Sequence, residues 1–85
     1  MKPKKSEEIV VKEKKLGREK AKGQMFPGKN VIEIDPRQSN VEYMDTLIHE
    51  GLHIIFPDLS EKEVIKSSKK LSKVLWKAGY RKVNL

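Results

Sequence analysis

The 85-residue chain contains no cysteine, which excludes a disulfide scaffold, a cysteine-based zinc finger and a thiol nucleophile. No apolar run exceeds three residues, so neither a membrane span nor the core of a secretory signal is present. Aromatic residues make up 6% and the hydrophobic set 36%, equal to the charged share. That composition gives one small domain with a modest core and a heavily solvated surface. If it needs a staple, the choice is a metal or a partner. Arginine is scarce as well, with three residues against sixteen lysines. Arginine is the usual choice for bidentate readout of phosphates and bases, so the lysine bias argues against sequence-specific nucleic-acid recognition. A cytoplasmic location is the expectation.

What is present is unevenly spread. Residues 1–30 carry a net +6, residues 31–60 a net −5 and residues 61–85 a net +6. The lysines read first as a solvated surface. Non-specific attraction to DNA, RNA or an acidic partner is the second reading. Residues 1–6 form a basic tail expected to be disordered, and the whole chain, 1–85, reads as one domain.

Local signals place the elements. Ile9-Val10-Val11 is β-branched and favours a strand, with a short helix from Ser6 as the competing reading. A second strand is expected over Lys20 to Phe26, interrupted by Gly23. Phe26-Pro27-Gly28-Lys29 has the form of a type II turn, and Val31 to Asp35 reads as a strand with Ile32 and Ile34 on one face. A small antiparallel β-meander of two or three strands over about residues 8–35 follows. Ser39 with Glu42, and Ser60 with Glu63, are capping boxes opening helices over about 40–56 and 61–78. Pro57 separates them and Gly79 sits at the expected C-terminal cap. The fold class is α+β.

The chemistry-bearing pattern is His49-Glu50-Gly51-Leu52-His53, an H-E-x-x-H. At 100° per residue, positions four apart differ by about 40°, so both imidazoles leave one face a turn apart and can share a tetrahedral Zn²⁺. Glu50 lies beside that face, placed to accept a proton from water as general base. Glu42, Asp45, Thr46 and His53 complete a polar strip between two apolar flanks, the profile of a helix lining a cleft. With no cysteine and no third histidine, the third ligand has to be a carboxylate. Glu61 is the leading candidate because it heads the apolar stripe of the second helix, where an uncompensated carboxylate is costly. Glu63 and Asp45 are the alternatives, Asp45 also as an outer-shell acceptor. Tyr80 is a possible oxyanion donor, though a buried or rim role is the plainer reading for it.

His49-Glu50-x-x-His53 followed by a glutamate on the next helix resembles the gluzincin branch of the zincin metallopeptidases, at this length the minigluzincins. Ile34-Asp35-Pro36-Arg37, Asp45 to Glu50 and Leu75-Trp76-x-x-Gly79-Tyr80-Arg81 are also similar to short phage and prophage proteins that carry a metallopeptidase motif. The resemblance covers about residues 30–82. It implies Zn²⁺ and a small sheet over the active-site helix whose edge strand binds extended substrate. One departure is spacing, since the family's glutamate comes many more residues after the second histidine than the eight that separate His53 from Glu61. The expected function is that of a compact zinc metallopeptidase acting on peptide or protein substrate, with no membrane partner. The alternative is a non-catalytic zinc-binding module that binds nucleic acid or a regulatory protein through its basic termini.

Overall fold

The turn after Phe26 organises the sheet. Gly28 takes φ +79°, the conformation assigned to it, and Lys29 N–H donates to Phe26 O at 3.1 Å. Asn30 follows at φ +52°, a left-handed conformation that asparagine tolerates better than most residues. The hairpin joins β2 (Gly23–Phe26) to β3 (Val31–Ile34) in antiparallel register, Phe26 facing Val31 and Gly23 facing Ile34. This computed structural model describes residues 8–17, 22–26 and 28–83. The expected basic tail over residues 1–6 lies outside them.

The strand β1 (Val10–Glu13) forms, and the competing helix does not. Its partner differs from the expected meander. β1 runs parallel to β3, from Val10 opposite Val31 to Glu13 opposite Ile34, so the sheet is mixed with order β1-β3-β2. The physical reason lies in β3. Ile32 and Ile34 are the most buried residues of the sheet, at 2% and 0% exposure, and the strand that carries them takes the centre, where both of its ladders are paired. The connection leaving β1 is pinned where β3 ends. Leu16 N–H donates to Asp35 Oδ2 at 3.0 Å, and Arg37 Nη2 donates to Leu16 O at 2.9 Å. Leu16 itself is buried.

Two helices follow, α1 (Asn40–Ile55) and α2 (Glu61–Lys77), within one residue of the expected bounds. Ser39 and Glu42 form the full capping box on α1. On α2, Ser60 Oγ accepts from the Glu63 N–H at 3.1 Å. α1 lies across the sheet: Ile32, Ile34 and Tyr43 make the core, with Ile9, Met25, Leu47 and Ile54 packed around it. α2 then packs on α1 through Val64, Ser68 and Ser72, all buried. The two serine hydroxyls donate to carbonyls of their own helix, at Ile65 and Lys69, so small polar side chains can sit in the contact without orphaned groups. Ile65 and Leu71, the margins of the apolar stripe, remain exposed. At the far end Gly79 (φ +96°) and Tyr80 donate to Trp76 O and Leu75 O, the hydrogen bonds of a Schellman cap. No helix among the described residues is long and apolar enough to cross a membrane.

Candidate metal centre

The helix period does what the motif requires. His49 and His53 leave α1 with ring centroids 4.9 Å apart and planes at 66°. The five residues between the helices then fold back tightly: Phe56 N–H closes α1 on Leu52 O, and Leu59 N–H donates to Phe56 O at 3.0 Å. Ser60 caps the new helix, so Glu61 is its first residue. That corner delivers the Glu61 carboxylate to both imidazoles, with Oε1 2.7 Å from His53 Nε2 and Oε2 3.1 Å from His49 Nε2. Eight residues therefore suffice to bring the acid back, because α2 begins beside the last turns of α1.

The donor set suits a divalent ion of zinc's type. Two imidazole nitrogens and one carboxylate oxygen can be chosen that all lie within 4.8 Å of one another. Ligand atoms at about 2.0–2.2 Å in a tetrahedral site stand roughly 3.4 Å apart. The set is already gathered to about that scale, and His49, His53 and Glu61 could hold the ion with small side-chain adjustments. Of the alternatives, Glu63 is exposed and gives its backbone N–H to Ser60, and it is not among the residues gathered here. Asp45 lines the same cleft, yet its Oδ1 is buried with no hydrogen-bond partner among the described residues. Tyr80 is 63% exposed and sits past the opposite end of α2. At 1.5 Å per residue that is roughly 28 Å along the helix from Glu61, so it takes no part in this site.

Glu50 shares an open cleft of about 270 Å³ with Asp45, Thr46, His49 and Glu61, closed on the sheet side by Lys22 and Gly23. Burial pushes the Glu50 carboxyl above its ordinary range; the two imidazoles oppose that shift and the Glu61 carboxylate adds to it. The sheet-side wall falls within the region, about residues 20–35, expected from the sequence to supply a substrate-binding edge, but Lys22 and Gly23 were not singled out there. A Cβ on Gly23 would stand 2.6 Å from Thr46 Cγ2 and 3.6 Å from Glu50 Cγ, so the missing side chain lets β2 lie directly against the helix face that carries the motif. Gln38 fastens the same junction: its amide nitrogen donates to Lys22 O and Asp35 O, and its oxygen accepts from Thr46 Oγ1. Lys22 Nζ reaches Glu42 Oε2 at 2.9 Å, which with the Ser39 backbone N–H lowers the Glu42 carboxyl. A glycine opening a strand opposite a motif helix was the available signal for this wall.

No family model, curated protein or solved structure matches the chain.

Proposed function

We propose that the chain is a zinc-dependent metallopeptidase in which His49, His53 and Glu61 hold the ion and Glu50 is the general base. The observation that carries this reading is the convergence of one carboxylate on the Nε2 atoms of both motif histidines. Zn²⁺ held by these three residues would supply Lewis acidity toward a scissile carbonyl and toward water. Glu50 takes the proton of the water that adds to the carbonyl carbon. It then returns a proton to the amine as the C–N bond breaks. Peptide is the substrate class that the sheet favours. β2 is an outer strand, and Gly23 at its start, with Lys22 just before it, walls the cleft, so an extended chain can pair with that edge beside Glu50.

The test is Glu50→Gln. It is expected to retain one zinc per chain by elemental analysis while peptide hydrolysis falls about 10²–10⁴-fold, the usual share of a general base. His49→Ala and Glu61→Ala should lose the zinc. Undiminished hydrolysis in Glu50→Gln overturns the role of Glu50, and parent protein that takes up no zinc overturns the centre.

A further inference from the structure

The lysines of the C-terminal half are not scattered. On α2, Lys62, Lys66, Lys69, Lys70, Lys73 and Lys77 are all exposed, and at 100° per residue they fall within an arc of about 100°. Their span of fifteen residues is a straight row of roughly 22 Å, with most steps being one helical turn. None of the six has an ion-pair partner among the described residues, although Lys14, Lys22, Arg37 and Lys82 all do. Glu63 is the only acid of α2 near the row, and it pairs with none of them. Lysines three and four apart repel one another, and Glu63, three residues before Lys66, is the only acid of this helix placed to offset that repulsion. The row also points away from the metal centre, since Glu61 lies about 80° from its nearest edge.

Beside the row's C-terminal half is an open apolar cleft of about 410 Å³, with Val41, Val74 and Trp76 as its walls and Lys73 and Lys77 at its sides. Val41 and Val74 are 44% and 60% exposed. The Arg81 guanidinium stacks on Trp76, 3.3 Å from the ring centroid, which holds the indole in place and adds a further cation. We infer that this face of α2 is a docking surface for single-stranded nucleic acid, with phosphates along the lysine row and a base against Trp76 in the cleft. Lysine meets phosphate as a point charge and carries no base readout, so binding is independent of sequence. A charged track with an aromatic wall alongside is how single strands are held without sequence preference, and a duplex keeps its bases stacked out of reach of the cleft.

The full chain can be tested with fluorescently labelled oligothymidylate, read by anisotropy at a series of salt concentrations. With all six lysines engaged, log K should fall against log salt with a slope of about −4. The triple variant Lys66→Gln/Lys70→Gln/Lys73→Gln, which keeps good helix formers, should flatten that slope by about 2. The control Lys12→Gln/Lys14→Gln/Lys29→Gln should leave it as it was. Trp76 is the only tryptophan, so quenching of its emission by the single strand, and not by duplex DNA or inorganic polyphosphate, reports the base in the cleft. The inference is overturned by no binding at low salt, by an unchanged slope in the α2 triple variant, or by binding without quenching of Trp76. Duplex, polyphosphate or acidic lipid vesicles binding as tightly as the single strand also overturns it.

Discussion

Asp35 and Glu61 are both carboxylates gripped by nitrogen, and the two grips differ in kind. Asp35 is 9% exposed and its two oxygens accept four hydrogen bonds, from Arg37 N–H, Nε and Nη2 and from Leu16 N–H. The Glu61 side chain is 61% exposed and meets two imidazoles. The first is saturated by groups that belong to the chain's own course, so it fixes where β1's connection crosses the end of β3. The second meets two imidazole nitrogens that, with it, could turn to a cation placed between them. Glu61 lies on the open cleft it shares with Glu50, whereas Asp35 is nearly closed off from solvent.

The widest separation between the two comes from swapping each for its amide. Glu61→Gln should lower Zn²⁺ affinity by more than about 100-fold, since even residues that merely orient ligands cost 10–100-fold. The metal-free melting temperature should hardly move, because exposed ion pairs contribute about 0–1 kcal/mol. Asp35→Asn should do the reverse, lowering the melting temperature while the folded protein keeps its zinc affinity. Titration calorimetry and thermal melts read the crossing, and a Glu61→Gln protein that melts as low as Asp35→Asn would erase the distinction. Acid sharpens it. Arg37's side chain, then its backbone N–H and that of Leu16, hold the Asp35 carboxyl far below the carboxylate range. A depressed folded-state pKa contributes stability that is present above the unfolded value of about 3.9 and lost as pH falls below it. The parent should therefore lose melting temperature on acidification below about pH 4, with a shallower loss in Asp35→Asn.

Gly23 joins the two regions, because β2 pairs with Ile34, next to Asp35, and also walls the cleft at Glu50. A Cβ there meets Thr46 Cγ2 at 2.6 Å and Glu33 O at 3.3 Å. Gly23→Ala should destabilise the fold by about 1–3 kcal/mol, the usual cost of overpacking, and should weaken hydrolysis by moving β2 off α1. Thr46→Ser removes the colliding methyl while keeping the hydroxyl that bonds Gln38, so Gly23→Ala/Thr46→Ser should recover most of the loss in urea denaturation. Failure of that rescue would put the strain in the β2–β3 ladder rather than against the motif helix.

Much of this was legible because the signals are local. Ser39 with Glu42, Ser60, Pro57 and Gly79 set both helix bounds through contacts spanning a few residues, and Gly28 takes the positive φ that turns the hairpin. The shared face of the two histidines was legible for the same reason, since helical periodicity fixes it; that Glu61 rather than Glu63 or Asp45 reaches them depends on the corner between the helices. The partner of β1 was not. Val10 and Val11 suit either neighbour, and the choice depends on Leu16 meeting Asp35 and Arg37 about twenty residues away, a pairing that no periodicity announces. The close approach at Gly23 was hidden likewise, because a glycine in a strand does not say what lies over it. On α2 the serines at 68 and 72 proved more buried than Ile65 and Leu71.

The smallest effect tests whether the anchoring side has a second, weaker fastening. Tyr43 is buried on α1 and donates its hydroxyl to Glu13 Oε2 on β1 at 2.7 Å. Lys82 approaches the same carboxylate at 3.3 Å and lies 5.1 Å from the Tyr43 ring centroid, so residues from β1, α1 and the segment after α2 meet at one point. Tyr43→Phe keeps the ring in the core and removes one hydrogen bond, with an expected loss of about 1 kcal/mol. Glu13 retains Lys82 and water, so no acceptor is stranded. Burial first, then the Glu13 carboxylate, pushes the Tyr43 phenol up to about 12. A raised folded-state pKa contributes stability that is complete below the unfolded value of about 10 and disappears as pH rises through the folded one. The parent should therefore show an extra loss of melting temperature between about pH 10 and 12 that Tyr43→Phe lacks. Equal alkaline profiles would mean that the hydroxyl contributes nothing to holding β1 on α1, leaving Asp35 and Arg37 to fix that strand's path.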